Sequence, residues 1–74
     1  MMDPVTVRIL QDVYHRTSGG SFITMGELET GTGMPASGLR PRLEDLKEMG
    51  LVVEHPEGFR LSPPGLTFCR SRWG

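Results

Sequence analysis

The stretch Glu27-Leu28-Glu29-Thr30-Gly31-Thr32-Gly33-Met34-Pro35-Ala36-Ser37-Gly38-Leu39-Arg40-Pro41-Arg42-Leu43-Glu44-Asp45-Leu46-Lys47-Glu48-Met49-Gly50-Leu51 is punctuated as two short helices joined by a turn. Leu28 marks the first helix and Gly33-Met34 the turn. Leu39, Leu43 and Leu46 follow at helical spacing before a stop at Gly50. Immediately afterwards Leu51-Val52-Val53-Glu54-His55 and Phe59-Arg60-Leu61 flank the turn residues Pro56-Glu57-Gly58, the pattern of a short β-hairpin. This order predicts an α+β winged helix-turn-helix. Such a unit places its second helix in the DNA major groove and its hairpin against the flanking backbone or minor groove.

Upstream, Asp3 is placed to cap a helix whose first position is Pro4, where a missing N–H would be unsatisfied anyway. Thr6, Ile9, Leu10, Val13, Tyr14 and Thr17 then keep the rhythm of one buried face, with Arg8, Gln11, Asp12 and His15 opposite, so a first helix is expected over residues 4–17. Ser18-Gly19-Gly20 should break it. Ser21-Phe22-Ile23 reads as a single edge strand that joins the wing in a three-stranded sheet. Thr24-Met25-Gly26-Glu27 has the spacing of a capping box for a second helix running to about Thr30.

In the third helix Gly38 and Pro41 both lower helix propensity, and Pro41 fits only if the helix starts between Pro35 and Ser37. Leu39, Leu43 and Leu46 cluster on one side with Arg42 and Met49 at the margin. Arg40, Pro41, Glu44 and Glu48 fall on the other. Beyond the wing, Ser62-Pro63-Pro64-Gly65 ends the strand and caps a short last helical turn from Leu66 to Trp73.

Seventy-four residues predict one small domain, which buries only about 60% of the surface of its unfolded chain. A separate catalytic or ligand-sensing domain is not expected. The hydrophobic fraction of 36% sits in periodic runs, enough to fold. The single cysteine, Cys69, excludes an intramolecular disulfide and a cysteine-rich metal site, which suits a reducing cytoplasm. The start of the chain shows no leader pattern and no run is long enough to span a membrane, so a cytoplasmic protein without membrane contact is expected.

Gly50-Leu51-Val52 followed by Gly58-Phe59-Arg60-Leu61-Ser62-Pro63-Pro64-Gly65 resembles the wing of the multiple-antibiotic-resistance (MarR) type and related winged-helix regulators. The resemblance covers roughly residues 24–66. It implies a DNA-binding transcriptional regulator in which Ser37, Arg40 and, nearer the core, Arg42 lie on the helix that enters the major groove. Thr24, at the head of the second helix, and Arg60, in the strand leaving the wing, complete the nucleic-acid-binding candidates.

Each candidate has a second reading. Arg40 is placed to bind guanine or phosphate, or to pair with Glu44 one turn on. Arg60 reaches phosphate or pairs across the hairpin with Glu54. His55 reads as a solvent-exposed residue beside a turn and Cys69 as a packing residue. The net charge of −1, the acidic run Glu44, Asp45 and Glu48, and Glu57 at the wing tip depart from a basic DNA-binding surface. The alternative is therefore a winged helix that binds a protein partner. A contiguous positive patch of Ser37, Arg40, Arg42 and Arg60 would favour double-stranded DNA, and an acidic or apolar patch a protein.

Catalysis and cofactors are not expected. Two histidines, one cysteine and scattered acids form no nucleophile–base set, Gly31-Thr32-Gly33 is no phosphate loop, and His15, His55 and Cys69 lack the close spacing of metal ligands. A weak homodimer is expected through Leu66, Phe68 and Trp73, against the alternative that Trp73 folds back over the first helix.

Overall fold

A computed structural model describes residues 2–17 and 19–74. It contains α1 (Pro4–Thr17), α2 (Met25–Thr32), α3 (Ala36–Glu48), β1 (Val52–His55), β2 (Gly58–Leu61) and α4 (Pro63–Trp73). The fold is a winged helix-turn-helix.

Asp3 opens α1 by accepting the Thr6 N–H at 2.8 Å. The six residues expected on its buried face, Thr6, Ile9, Leu10, Val13, Tyr14 and Thr17, are the six that are buried. Thr17 is accommodated there because its hydroxyl donates to the Val13 carbonyl at 2.6 Å. Of the expected break after α1, Gly19 and Gly20 are described, and Ser18 lies outside the described residues.

The capping box of α2 is complete. Thr24 Oγ1 accepts the Glu27 N–H at 3.1 Å, and the Glu27 carboxylate accepts the Thr24 N–H at 2.9 Å. The helix runs two residues past Thr30 and stops at Gly33, which has φ of 72° and returns its N–H to the Glu29 carbonyl. Glu29 also spans the turn, its carboxylate accepting the Ala36 N–H at 3.0 Å at the start of α3. That bond satisfies the first N–H of α3, one of the donors a helix leaves without an internal partner, at an end where Pro35 gives no side-chain cap.

Starting α3 at Ala36 puts Pro41 within its second turn. Pro41 has no N–H to offer the Ser37 carbonyl, and the exposed position of Ser37 leaves that carbonyl to water. Leu39, Leu43 and Leu46 are fully buried and hold α3 against α1, α2 and β1.

The expected three-stranded sheet is corrected. The sheet has two strands, registered Val52↔Leu61, Val53↔Arg60, Glu54↔Phe59 and His55↔Gly58. The Phe22 segment contributes one bridge, at Ile23, which exchanges two 2.8 Å backbone hydrogen bonds with Phe59. Thr24 already caps α2, so the chain turns away after a single pairing. Gly58 lies against this bridge, and a Cβ there would sit 2.5 Å from the Ile23 carbonyl oxygen.

The C-terminal turn is corrected too. It is an 11-residue helix beginning at Pro63. Prolines at the first two helical positions sacrifice no helical bond, and Ser62 caps them by accepting the Gly65 N–H at 3.0 Å. Ser62 also donates its hydroxyl to the Gly50 carbonyl and its N–H to the Leu51 carbonyl, the latter at 3.0 Å. The head of α4 is thereby fastened to the corner between α3 and β1. Along α4, Cys69 is fully buried, and burial pushes its thiol above the ordinary range, keeping it protonated and unreactive.

Candidate nucleic-acid interface

The buried leucines of α3 fix which residues face outward. Ser37, Arg40, Pro41, Glu44, Asp45 and Glu48 are exposed, and the face of the hairpin carrying Glu54 and Phe59 adjoins them. Arg40 joins the two elements. Its guanidinium lies over the Phe59 ring at 5.4 Å from the centroid and donates to Glu54 at 2.9 Å and to Glu44 at 3.2 Å. Lys47 donates to the same two carboxylates, at 2.8 Å to Glu54 and 3.1 Å to Glu44.

These four side chains form a closed ring of alternating charge, with helix contributing three members and wing one. The Lys47 and Arg40 hydrogen bonds hold the Glu44 and Glu54 carboxyls below their usual range. The carboxylates in turn raise the Arg40 and Lys47 cations, Glu54 ahead of Glu44. All four are charged at neutral pH, and their charges sum to zero.

The other candidates do not join this face. Arg42 points towards the head of α1, donating to Asp3 and, at 3.1 Å, to the Thr6 hydroxyl. The Thr6 N–H and Arg42 hold the Asp3 carboxyl down at about 2. Arg60 pairs in register with Val53, so of its two readings the cross-strand partnership with Glu54 is not made; its guanidinium lies over Phe22, 4.9 Å from the ring centroid, on the opposite face of the hairpin. His55 is exposed and lies at 4.9 Å from the same ring. The Thr24 hydroxyl is occupied by capping, accepting from the Glu27 N–H and donating to its carboxylate at 3.2 Å. No contiguous positive patch of Ser37, Arg40, Arg42 and Arg60 forms: Ser37 and Arg40 share a face, and Arg42 and Arg60 each lie elsewhere.

The hydrophobic candidates divide as well. Phe68 and Trp73 line a groove with Met2, Val7, Met49 and Arg72, whereas Leu66 lines a separate depression with Thr17, Arg60 and Leu61. Trp73 folds back, with ring centroids 6.4 Å from Tyr14 on α1 and 6.5 Å from Phe68 in an edge-to-face contact.

Glu54 and Lys47 are members of the candidate site that sequence reasoning missed. Lys47 had a local signal, lying three residues after Glu44. Glu54 had none, since its partner Arg40 is 14 positions away on a different element.

No family model matches the sequence, and no curated protein matches it. Solved structures do share the fold. A crystal structure of an Archaeoglobus fulgidus protein superposes with a TM-score of 0.82 at 19% identity, covering 96% of this chain and 82% of that one. A proposed DNA-binding protein of Ralstonia eutropha superposes with a TM-score of 0.81 at 21% identity over the full length of both chains. At these identities the likeness is one of fold, and the MarR-type resemblance of the wing rests on its own residues.

Proposed function

We propose that this winged helix binds double-stranded DNA as a transcriptional regulator, with α3 entering the major groove and the hairpin beside it on the flanking backbone. The observation that carries the reading is the position of Arg40, exposed on the second helix of a helix-turn-helix with Ser37 one turn before it and the wing alongside. The likeness of fold to a proposed DNA-binding protein supports it. The role is one of binding, without catalysis or a cofactor.

Among the described residues Arg40 and Lys47 are the cations of this face, and with Glu44 and Glu54 paired to both, log K should fall with log salt at a slope shallower than about −2 per subunit. Arg40→Ala should weaken binding to a preferred site by about 1–3 kcal/mol. Fluorescence anisotropy on genomic fragments at two salt concentrations measures both quantities. Equal affinity of wild type and Arg40→Ala would remove Arg40 as a reader of sequence.

One observation favours a protein partner instead. Glu44 and Glu54 cancel both cations, and Asp45 and Glu48 extend the acidic surface along α3. A basic partner would suit that face, and failure of every fragment to bind at low salt would select this reading.

Regulatory affinity from so few phosphate contacts calls for two-fold pairing on two half-sites. The groove of Met2, Val7, Met49, Phe68, Arg72 and Trp73 suits a second copy of the chain. It contains Met49, 47% exposed, and runs across Met2 and Met49 into a depression lined by Asp3, Asp45 and Glu48. A two-fold axis through the apolar part would set Arg72 of each copy against the carboxylates of the other. Sedimentation across a hundredfold range of concentration should show a rise in mass that Arg72→Glu abolishes. A wild type monomeric throughout would discard the dimer.

A further inference from the structure

Arg40 is held by one corner of its guanidinium. Nη1 makes all three carboxylate contacts, to the two oxygens of Glu54 at 2.9 and 3.1 Å and to Glu44 at 3.2 Å. Among the described residues no side chain or carbonyl accepts a hydrogen bond from Nε or Nη2. The Phe59 ring lies beneath the group, its centroid 5.4 Å from the central carbon, and adds a cation–π contact to these hydrogen bonds. An arginine fixed in this way keeps two parallel N–H donors on one edge, the arrangement that matches the N7 and O6 acceptors of guanine.

Resting on the DNA reading above, we infer that Glu54 is a positioning residue for base recognition: it fixes Arg40 from the wing with the Nε–Nη2 edge free for a guanine. It also cancels the charge that would otherwise draw Arg40 and Lys47 to phosphate of any sequence. Glu54 is suited to both tasks because it stands on β1 rather than on α3. Glu44 moves with the helix that carries Arg40, whereas Glu54 references the guanidinium to the hairpin, which is registered independently by its own strand pairing. The ring thus trades non-specific affinity for discrimination. Exposed ion pairs contribute little to stability, so the value of this one lies in orientation rather than in holding the fold.

Glu54→Gln retains the size of the side chain and an acceptor but removes the charge. The probes are a duplex selected from random-sequence DNA and the same duplex with each G·C pair replaced in turn by A·T. In the variant, binding to unselected DNA should tighten and its salt slope steepen by about one charge. Discrimination at the guanine that Arg40 reads should fall about tenfold. The double variant Glu54→Gln/Lys47→Gln restores the net charge of the ring. Its non-specific binding should return to the wild-type level while discrimination stays lost, which separates orientation from charge. In the free protein the Arg40 Nε–H resonance should be sharp in wild type and broadened in Glu54→Gln. Wild-type binding with unchanged discrimination in Glu54→Gln overturns the inference alone. A wild type that binds no duplex at low salt overturns the DNA reading and the inference with it.

Discussion

Leu43→Ala is expected to lower the stability of the folded domain by about 2–5 kcal/mol. Leu43 is fully buried in the middle of α3, whose inner face is shared by α1, α2 and β1. Truncation removes the transfer free energy of the lost methyl groups and leaves a void that three packed elements can only partly close. For 74 residues the whole margin of stability is on the order of 4–11 kcal/mol, so the variant should be near its unfolding limit at growth temperature. Urea denaturation reads the effect as a fall in midpoint with little change in slope. Leu43→Met, which conserves volume, should cost less than about 1.5 kcal/mol. An alanine variant with an unchanged midpoint would mean that α3 packs through a different face.

Gly65→Ala is expected to be as damaging for the opposite reason. A Cβ at position 65 would lie 1.9 Å from the carbonyl oxygen of Leu51 and 2.8 Å from its carbonyl carbon. Both atoms are backbone, so no change of rotamer relieves the overlap. The same carbonyl accepts the Ser62 N–H at 3.0 Å, so moving it away breaks the attachment of α4 to the α3–β1 corner. Overpacking costs about 1–3 kcal/mol and more where the backbone must shift, which places this variant at the upper end or beyond. The readout is direct, because the only cysteine in the chain, Cys69, is buried on α4. An aromatic disulfide reagent should label it much faster in Gly65→Ala than in wild type. Equal labelling rates would show that α4 does not depend on this close approach.

Much of the fold was legible because it is written locally. The 3.6-residue rhythm from Thr6 to Thr17 named the buried face of α1, and the Thr24–Glu27 spacing named the start of α2. Pro41 limited where α3 could begin. What depended on distant partners was misread. Whether Phe22-Ile23 makes a strand depends on how long it stays beside β2, and the demand of Thr24 to cap α2 ends the pairing at Ile23. The length of α4 depended on Ser62 capping two prolines against Gly50 and Leu51.

The candidate site divides the same way. Ser37 and Arg40 could be placed on one face by helical spacing, and the Arg40–Glu44 pair was readable at four residues' separation. Arg42 pairs with Asp3 across 39 positions, and Arg40 with Glu54 across 14. No local rule relates residues so far apart. The Glu54 pairing offered as one reading of Arg60 fails because period-two alternation leaves its partner open until the register of the hairpin is known, and that register sets Arg60 opposite Val53.

The attachment of Ser62 to Gly50 and Leu51 closes the base of the hairpin from outside the hairpin itself. The tip, Pro56 and Glu57, is exposed and lies at the other end from that closure. Added residues there would cost only the slowly growing entropy of a longer loop, about 0.6 kcal/mol for each doubling. Wing length and tip chemistry are therefore free to diverge while the base stays constant. The protein has an exposed tip mounted on a fastened base, a position where insertion or grafting could change what is contacted without refashioning the scaffold.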